Sequence, residues 1–307
     1  VTIASFSPQS GPAGTTVTIL GTNFNSTPTS NIVYFGGARA NVVSASPTSL
    51  AVTVPPGTMY APITVTVVGM SARSKFPFLL TFQGQRTIWS NTFVKVNIPT
   101  RPIPYGTALG DVDGDGKLDL VVANYGENNI SVFRNRGTVG GISALTFPQS
   151  QEFATPRAPR SVALGDFDGD GKLDIVVVNS TDNISIFRNT STSGSLSLAG
   201  RQDFTTGTMP FGVALSDFDG DGRIDIAVAN SGSASVSVLQ NRGNIGNISF
   251  YSEVQYAVAG GPVSVVAGDI DRDGKDDIAV ANSTDNTLSI LHNVSSINGI
   301  SFAGKID

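Results

Sequence analysis

Nine residues, Asp111-Val112-Asp113-Gly114-Asp115-Gly116-Lys117-Leu118-Asp119, return three more times with their carboxylates in one register, as DFDGDGKLD from Asp166, DFDGDGRID from Asp217 and DIDRDGKDD from Asp269. The starts lie 55, 51 and 52 residues apart, the period of a structural repeat. Four carboxylates at loop positions 1, 3, 5 and 9 repel one another unless a cation lies among them. The loops therefore imply a hard divalent ion, with Asp111, Asp113, Asp115 and Asp119, Asp166, Asp168, Asp170 and Asp174, Asp217, Asp219, Asp221 and Asp225, and Asp269, Asp271, Asp273 and Asp277 as ligands. The glycine at position 6 permits the sharp turn, and the position-7 carbonyl of Lys117, Lys172, Arg223 or Lys275 can complete the shell. This many oxygens suits calcium, whereas magnesium retains its waters, so the expected cofactor is Ca2+ at about four sites. Turn chemistry alone explains one Asp-Gly pair but not four loops of four carboxylates.

The first half of each loop resembles an EF-hand, but position 12, where that motif needs a bidentate Glu, holds Val122, Val177, Val228 and Val280. The flanks alternate like strands, as in Thr107-Ala108-Leu109-Gly110 and Ile175-Val176-Val177-Val178. The ninth-position Asp must then supply the closing carboxylate.

Val and Ile recur at period two and no stretch shows helical periodicity, so the expected class is all-β: an immunoglobulin-like β-sandwich followed by four β-propeller-type blades. The formal charge of -5 follows from the loops, and four divalent ions would turn it to about +3. With no Lys/Arg cluster, a nucleic-acid partner is not expected. No apolar run reaches spanning length, so membrane insertion is not expected either. Cysteine is absent, which excludes disulfides and thiolate metal sites. Calcium loops of the affinity of extracellular modules would stay empty in a cytosol, which favours an extracellular or cell-surface location.

Residues 1–82 alternate at Thr16–Leu20, Leu50–Val54 and Ile63–Val67 between Pro and Gly, the pattern of a small sandwich. Ser7-Pro8-Gln9-Ser10-Gly11-Pro12-Ala13-Gly14, Gly21-Thr22-Asn23-Phe24, Val33-Tyr34-Phe35-Gly36-Gly37 and Val54-Pro55-Pro56-Gly57 resemble, in their order, an IPT/TIG domain. That resemblance implies an immunoglobulin-like spacer or interaction module without catalysis. Residues 83–91 read as a short polar joint, with Trp89 covering an interdomain contact, and 92–307 as the repeat region. Each repeat reads as an outer strand, a Pro-containing bridge, a strand into the loop, a strand out and one more. These repeats resemble the FG-GAP/VCBS family, the calcium-loop blades also found in the propeller of integrin alpha chains. The Phe-Gly of that family stands at Phe211-Gly212 and nearly at Tyr105-Gly106, but is replaced by Arg160-Ser161 and Val263-Ser264 in the other copies. Four repeats are fewer than an integrin-type propeller holds, so the chain is expected to be part of a longer protein.

Other residues read as structural. His292, the only histidine, aligns with Arg134, Arg188 and Gln240, which suggests a solvent-facing strand position. Asn135, Asn189, Asn241 and Asn293, like Asn124, Asn179, Asn230 and Asn282, follow strands and suit turns. Catalysis is accordingly not expected. The functional expectation is an adhesion, recognition or surface-assembly protein with structural calcium and a protein or glycan ligand. A carbohydrate-binding accessory region of a larger surface enzyme and a self-assembling stalk or filament subunit are the alternatives.

Overall fold

A computed structural model describes residues 1–58, 60–81, 95–138, 142–297 and 299–304. The joint at 83–91, Trp89 and the expected first repeat strand at Thr92-Phe93 lie outside these residues.

The N-terminal unit is built from β1 (Thr2–Ser7), β2 (Ser10–Gly11), β3 (Thr16–Thr22), β4 (Ile32–Phe35), β5 (Ala38–Ser46), β6 (Ser49–Thr53), β7 (Pro62–Val67), β8 (Met70–Pro77) and β9 (Leu79–Leu80). Hydrogen bonds run in the order β1-β3-β6-β5-β4-β7-β8, with β2 and β9 paired in parallel to one side. Strand β5 changes partners midway: Ala38–Ala40 pair with β4, and Asn41–Ser46 with β6. One long ribbon thereby folds over into two layers. Alternation in β3 sends Val17 and Ile19 inward, and Leu50 and Val52 of β6 join them. They meet Val33, Phe35, Ile63, Val65 and Phe78 in one fully enclosed core. A one-residue slip in any of these strands would turn its apolar set to solvent.

The remaining strands form four sheets: β10 (Pro104–Gly110), β11 (Asp119–Asn124), β12 (Asn129–Phe133) and β13 (Ser150–Ala154); β14 (Pro159–Gly165), β15 (Asp174–Asn179), β16 (Asn183–Phe187) and β17 (Gln202–Thr205); β18 (Pro210–Ser216), β19 (Asp225–Asn230), β20 (Ser235–Leu239) and β21 (Val254–Ala257); and β22 (Pro262–Gly268), β23 (Asp277–Asn282) and β24 (Thr287–Leu291). Each is an antiparallel meander, and the first strands β10, β14, β18 and β22 are neighbours in space. This is the arrangement of successive propeller blades. In the first three sheets the outer strand stands at the end of the sheet rather than at the start of a repeat, as β21 shows by pairing with β20.

Blades pack face to face. Val121, Ile130 and Val132 of the first meet Val162, Ile175, Val177 and Phe187 of the second in one core cluster. Val176, Val178, Ile184 and Ile186 on the other face of the second meet Ile226, Val228 and Leu239 of the third. Both faces of a middle blade are therefore buried, which is why β15 reads Ile-Val-Val-Val rather than apolar-polar. Tyr105, Arg160 and Phe211 occupy one position on three adjacent first strands. The Arg160 guanidinium stands 4.0 Å from the Phe211 ring centroid and 5.8 Å from that of Tyr105, a cation–π stitch where the family motif would put Phe.

Candidate metal centres

Each acidic loop joins the first and second strands of its sheet, and the pairings Gly110↔Asp119, Gly165↔Asp174, Ser216↔Asp225 and Gly268↔Asp277 close all four at one register. The turn is made by left-handed backbone at positions 4 and 6. Gly116, Gly171, Gly222 and Gly274 have φ of 87°, 83°, 87° and 93°, and at position 4 Arg272 takes φ 69° where the other copies have glycine.

The carboxylates are held by the loop's own amides in a pattern common to all four copies. The position-6 amide donates to Oδ2 of the first Asp at 2.9–3.1 Å. The position-5 amide donates to Oδ1 of the third-position Asp, and the position-7 amide to Oδ1 of the fifth. The ninth-position Asp receives the position-2 amide on Oδ2 and, on Oδ1, the amide of Asn135, Asn189, Asn241 or Asn293. The position-2 side chains Val112, Phe167 and Phe218 plug the cores between blades, which ties loop shape to blade packing.

Carboxylate oxygens converge as a result. Asp111, Asp113 and Asp115 present oxygens within 4.8 Å of one another, as do Asp166, Asp168 and Asp174, and Asp217, Asp219 and Asp225. In the fourth loop the convergent set is Asp271, Asp273 and His292. Two first-position oxygens, Asp166 Oδ1 and Asp269 Oδ1, are buried without a hydrogen-bond partner. An anionic oxygen shut away from water and from donors fits a site completed by a cation. Burial, reinforced by the neighbouring aspartates and opposed by the amides, pushes Asp119 and Asp166 up to about 7, Asp217 to about 6 and Asp225 to about 8, with Asp111, Asp168, Asp174 and Asp221 also raised. The all-oxygen, multiply anionic donor sets of the first three loops fit calcium, while the fourth brings in the imidazole nitrogen of His292. The position-7 side chains lie outside the sets: Lys117 and Lys172 bridge to Asp115 and Asp170 at 3.3 and 3.4 Å, Arg223 to Asp221, and Lys275 donates to the Ser295 carbonyl. Asp276 points away from its own loop, accepting from Ser216 Oγ and lying 3.7 Å from Arg73.

Two residue series have roles that their sequence setting did not reveal. Arg134, Arg188, Gln240 and His292 are half-buried rather than solvent-facing, and each reaches Oδ2 of the third-position Asp in its own loop, at 2.5, 3.7, 2.7 and 2.9 Å. Asn189, Asn241 and Asn293 are more than turn residues. Each Nδ2 donates to the position-8 carbonyl of its own loop and to the position-2 carbonyl of the preceding loop, at Val112, Phe167 and Phe218. The turns after Asn189 and Asn241 also cover the loop before them, with the Gly194 amide on the Asp113 carbonyl and the Gly246 amide on Asp168 Oδ2.

The sandwich meets this rim directly. The Asp111 amide donates to the Gly37 carbonyl, Tyr34 Oη to the Gly171 carbonyl at 2.7 Å and the Ser71 amide to the Gly222 carbonyl at 2.6 Å. Between Tyr34, Arg39, the first two loops and Ser191–Ser193 lies a cavity of about 370 Å3.

Comparison with known proteins agrees with this geometry. Residues 111–177, 166–228 and 217–280 match the model of the FG-GAP-like repeat, and residues 2–83 that of the IPT/TIG domain. Cartilage acidic protein 1 of Mus musculus is 30% identical over 151 residues, covering 43% of this chain and 23% of that protein. The Homo sapiens protein of that name is also 30% identical, over 43% of this chain and 22% of its own length. The chain thus matches less than a quarter of either relative. Among solved structures, a functionally unknown protein from Desulfotomaculum acetoxidans aligns with TM-score 0.46 and 14% identity, over 94% of this chain and 86% of that one. An auxiliary nutrient binding protein from Bacteroides thetaiotaomicron aligns with TM-score 0.36 and 11% identity, over 94% and 96%. Neither structural likeness assigns a function.

Proposed function

We propose, for a chain that belongs to the family of FG-GAP-like repeat proteins and carries an IPT/TIG domain ahead of its blades, a calcium-dependent recognition role outside the cell or at its surface. The observation that carries the calcium reading is the convergence of carboxylate oxygens in the first three loops, joined in the second by a buried Asp166 Oδ1 that no donor satisfies. Asp111, Asp113, Asp115 and Asp119, with their equivalents in the other loops, would hold the ion, which neutralises the mutual repulsion of the loop carboxylates. Its role is structural: the ninth Asp connects each loop to its own sheet, and the asparagine after the third strand ties the second, third and fourth blades to the one before. Recognition rather than catalysis suits side chains already engaged by backbone amides, and the ligand is a protein or glycan surface met by the blades or the sandwich.

Calcium titrated calorimetrically into the chain, followed by melting with and without chelator, tests this. Extracellular calcium modules bind with Kd of roughly 0.1–1 mM. At about 1 mM free calcium each site then contributes about 0.4–1.4 kcal/mol, and four contribute about 2–6 kcal/mol. Chelation should lower the melting temperature of the blades by many degrees. No heat of binding, together with a melt indifferent to chelator, would refute the calcium role.

A further inference from the structure

The residue that follows the third strand of each blade differs in charge from copy to copy while keeping one contact. Its neighbour in the chain is the asparagine whose amide is bonded to the ninth-position Asp, so the preceding side chain is clamped beside its own loop. Arg134 Nε lies 2.5 Å from Asp113 Oδ2 and its Nη2 also donates to the Gly194 carbonyl. Arg188 Nη1 is 3.7 Å from Asp168 Oδ2, and Gln240 Nε2 donates to Asp219 Oδ2 at 2.7 Å. The opposite oxygen, Oδ1, accepts the position-5 amide in all three. The side chain thus faces the same oxygen in all three loops, hydrogen-bonded in the first and third and at longer range in the second, while its charge changes.

We infer that this position sets the order in which the loops fill: the third loop, with neutral Gln240, takes its ion before the first and second, where a guanidinium already holds the third-position carboxylate. The inference rests on the calcium reading above and deepens it. In the first two loops an incoming divalent ion must share Asp113 or Asp168 with a fixed positive charge, or displace it, and either costs affinity through cation–cation repulsion or a broken charge-assisted bond. Gln240 orients Asp219 with a neutral donor and imposes no such repulsion. Each loop also carries a cation at a second position. Each of the three loops has one basic side chain on its fifth-position Asp: Lys117 on Asp115, Lys172 on Asp170 and Arg223 on Asp221. The third loop therefore differs from the other two at both positions, with a guanidinium rather than an ammonium on its fifth-position Asp, and Gln240→Arg isolates the effect of the residue after the third strand. A charge effect of this kind is worth about tenfold in affinity in a partly solvated site.

The test is calorimetric titration of calcium into the complete 307-residue chain and four variants, with far-UV circular dichroism to confirm that each is folded. Arg134→Gln and Arg188→Gln should each tighten one weak site by about tenfold. Gln240→Arg should loosen one tight site by a similar factor, and Arg134→Lys, which keeps the charge, should leave its site weak. Unchanged or weaker binding in Arg134→Gln, or an unaltered isotherm in Gln240→Arg, overturns the inference. If Arg134→Gln does not fold, the Gln240→Arg result decides. A wild-type chain that binds calcium at sites of equal affinity removes the grading alone, whereas one that takes up no calcium removes the calcium reading and the grading with it.

Discussion

Asn241→Ala measures how much one side chain contributes to holding the third blade on the second. Asn241 is fully buried, and its Nδ2 donates to the Ile224 carbonyl of its own blade and to the Phe167 carbonyl of the preceding one, both at 2.9 Å. Its Oδ1 accepts the Gly243 amide at 2.7 Å. Alanine removes three hydrogen bonds, at about 1 kcal/mol net each, and strands two carbonyls and an amide away from water. The expected loss is about 3–5 kcal/mol. Asn135 is its equivalent in the first blade, half-buried, with side-chain bonds among the described residues to the Leu118 carbonyl at 3.0 Å and the Gly137 amide at 2.9 Å. Asn135→Ala should cost about 1–2 kcal/mol, and the difference contains the bond between blades. Urea unfolding in saturating calcium, followed by far-UV circular dichroism, reads both. With a slope of about 2 kcal/mol/M, Asn241→Ala should move the midpoint of the blade transition down by roughly 1.5–2.5 M. Asn241→Asp should be worse still, since it sets a carboxylate against two carbonyl oxygens. Equal midpoints for Asn241→Ala and Asn135→Ala, or a cost below about 1 kcal/mol for the former, would refute the stapling role.

Stability without metal should depend on pH in a fixed direction. Burial raises Asp119, Asp166 and Asp225 from 3.8 to about 7, 7 and 8, so the folded chain holds protons that the unfolded chain releases. That contribution is complete below about pH 4 and is lost as pH rises through 7 to 8, so metal-free protein should melt higher at pH 5 than at pH 8 in scanning calorimetry, with calcium protecting most at pH 8. Tyr34→Phe removes the bond to the Gly171 carbonyl and should destabilise the chain by about 1 kcal/mol, read from its urea midpoint. Arg272→Gly relieves a left-handed residue at φ 69° and should raise the stability of the fourth loop by up to about 1 kcal/mol, read from its melting temperature.

The blades and their loops were legible because the signals are local. Asp and Gly at fixed offsets dictate a turn, and period-two Val and Ile dictate the strands around it. The sandwich was legible for the same reason, from alternation at Thr16–Leu20 and Ile63–Val67, which became β3 and β7. What stayed hidden depends on partners far along the chain. Asn189 bonds to a carbonyl 77 residues away, so a single repeat shows only an asparagine suited to a turn. The variety of Arg134, Arg188, Gln240 and His292 resembles tolerance in a sequence, yet all four share the ability to donate to a carboxylate. Arg160 reads as a departure from Phe-Gly, and only the neighbouring strands reveal aromatic rings for it to stack on.

The sandwich touches every loop, and it does so in order. Gly37 meets the first, Tyr34 the second, Ser71 the third and Arg73, through Asp276, the fourth. These contacts come from the end of β4, the turn after it and β8, parts of one hydrogen-bonded sheet that cannot stretch without breaking its ladder. Spacing along that edge must therefore match spacing along the rim, and a domain that reads as a spacer in the sequence serves as a splint. It fixes the angle from each blade to the next independently of the cores between them. An inserted residue in one blade would leave that blade's own sheet intact and still misalign every contact beyond it.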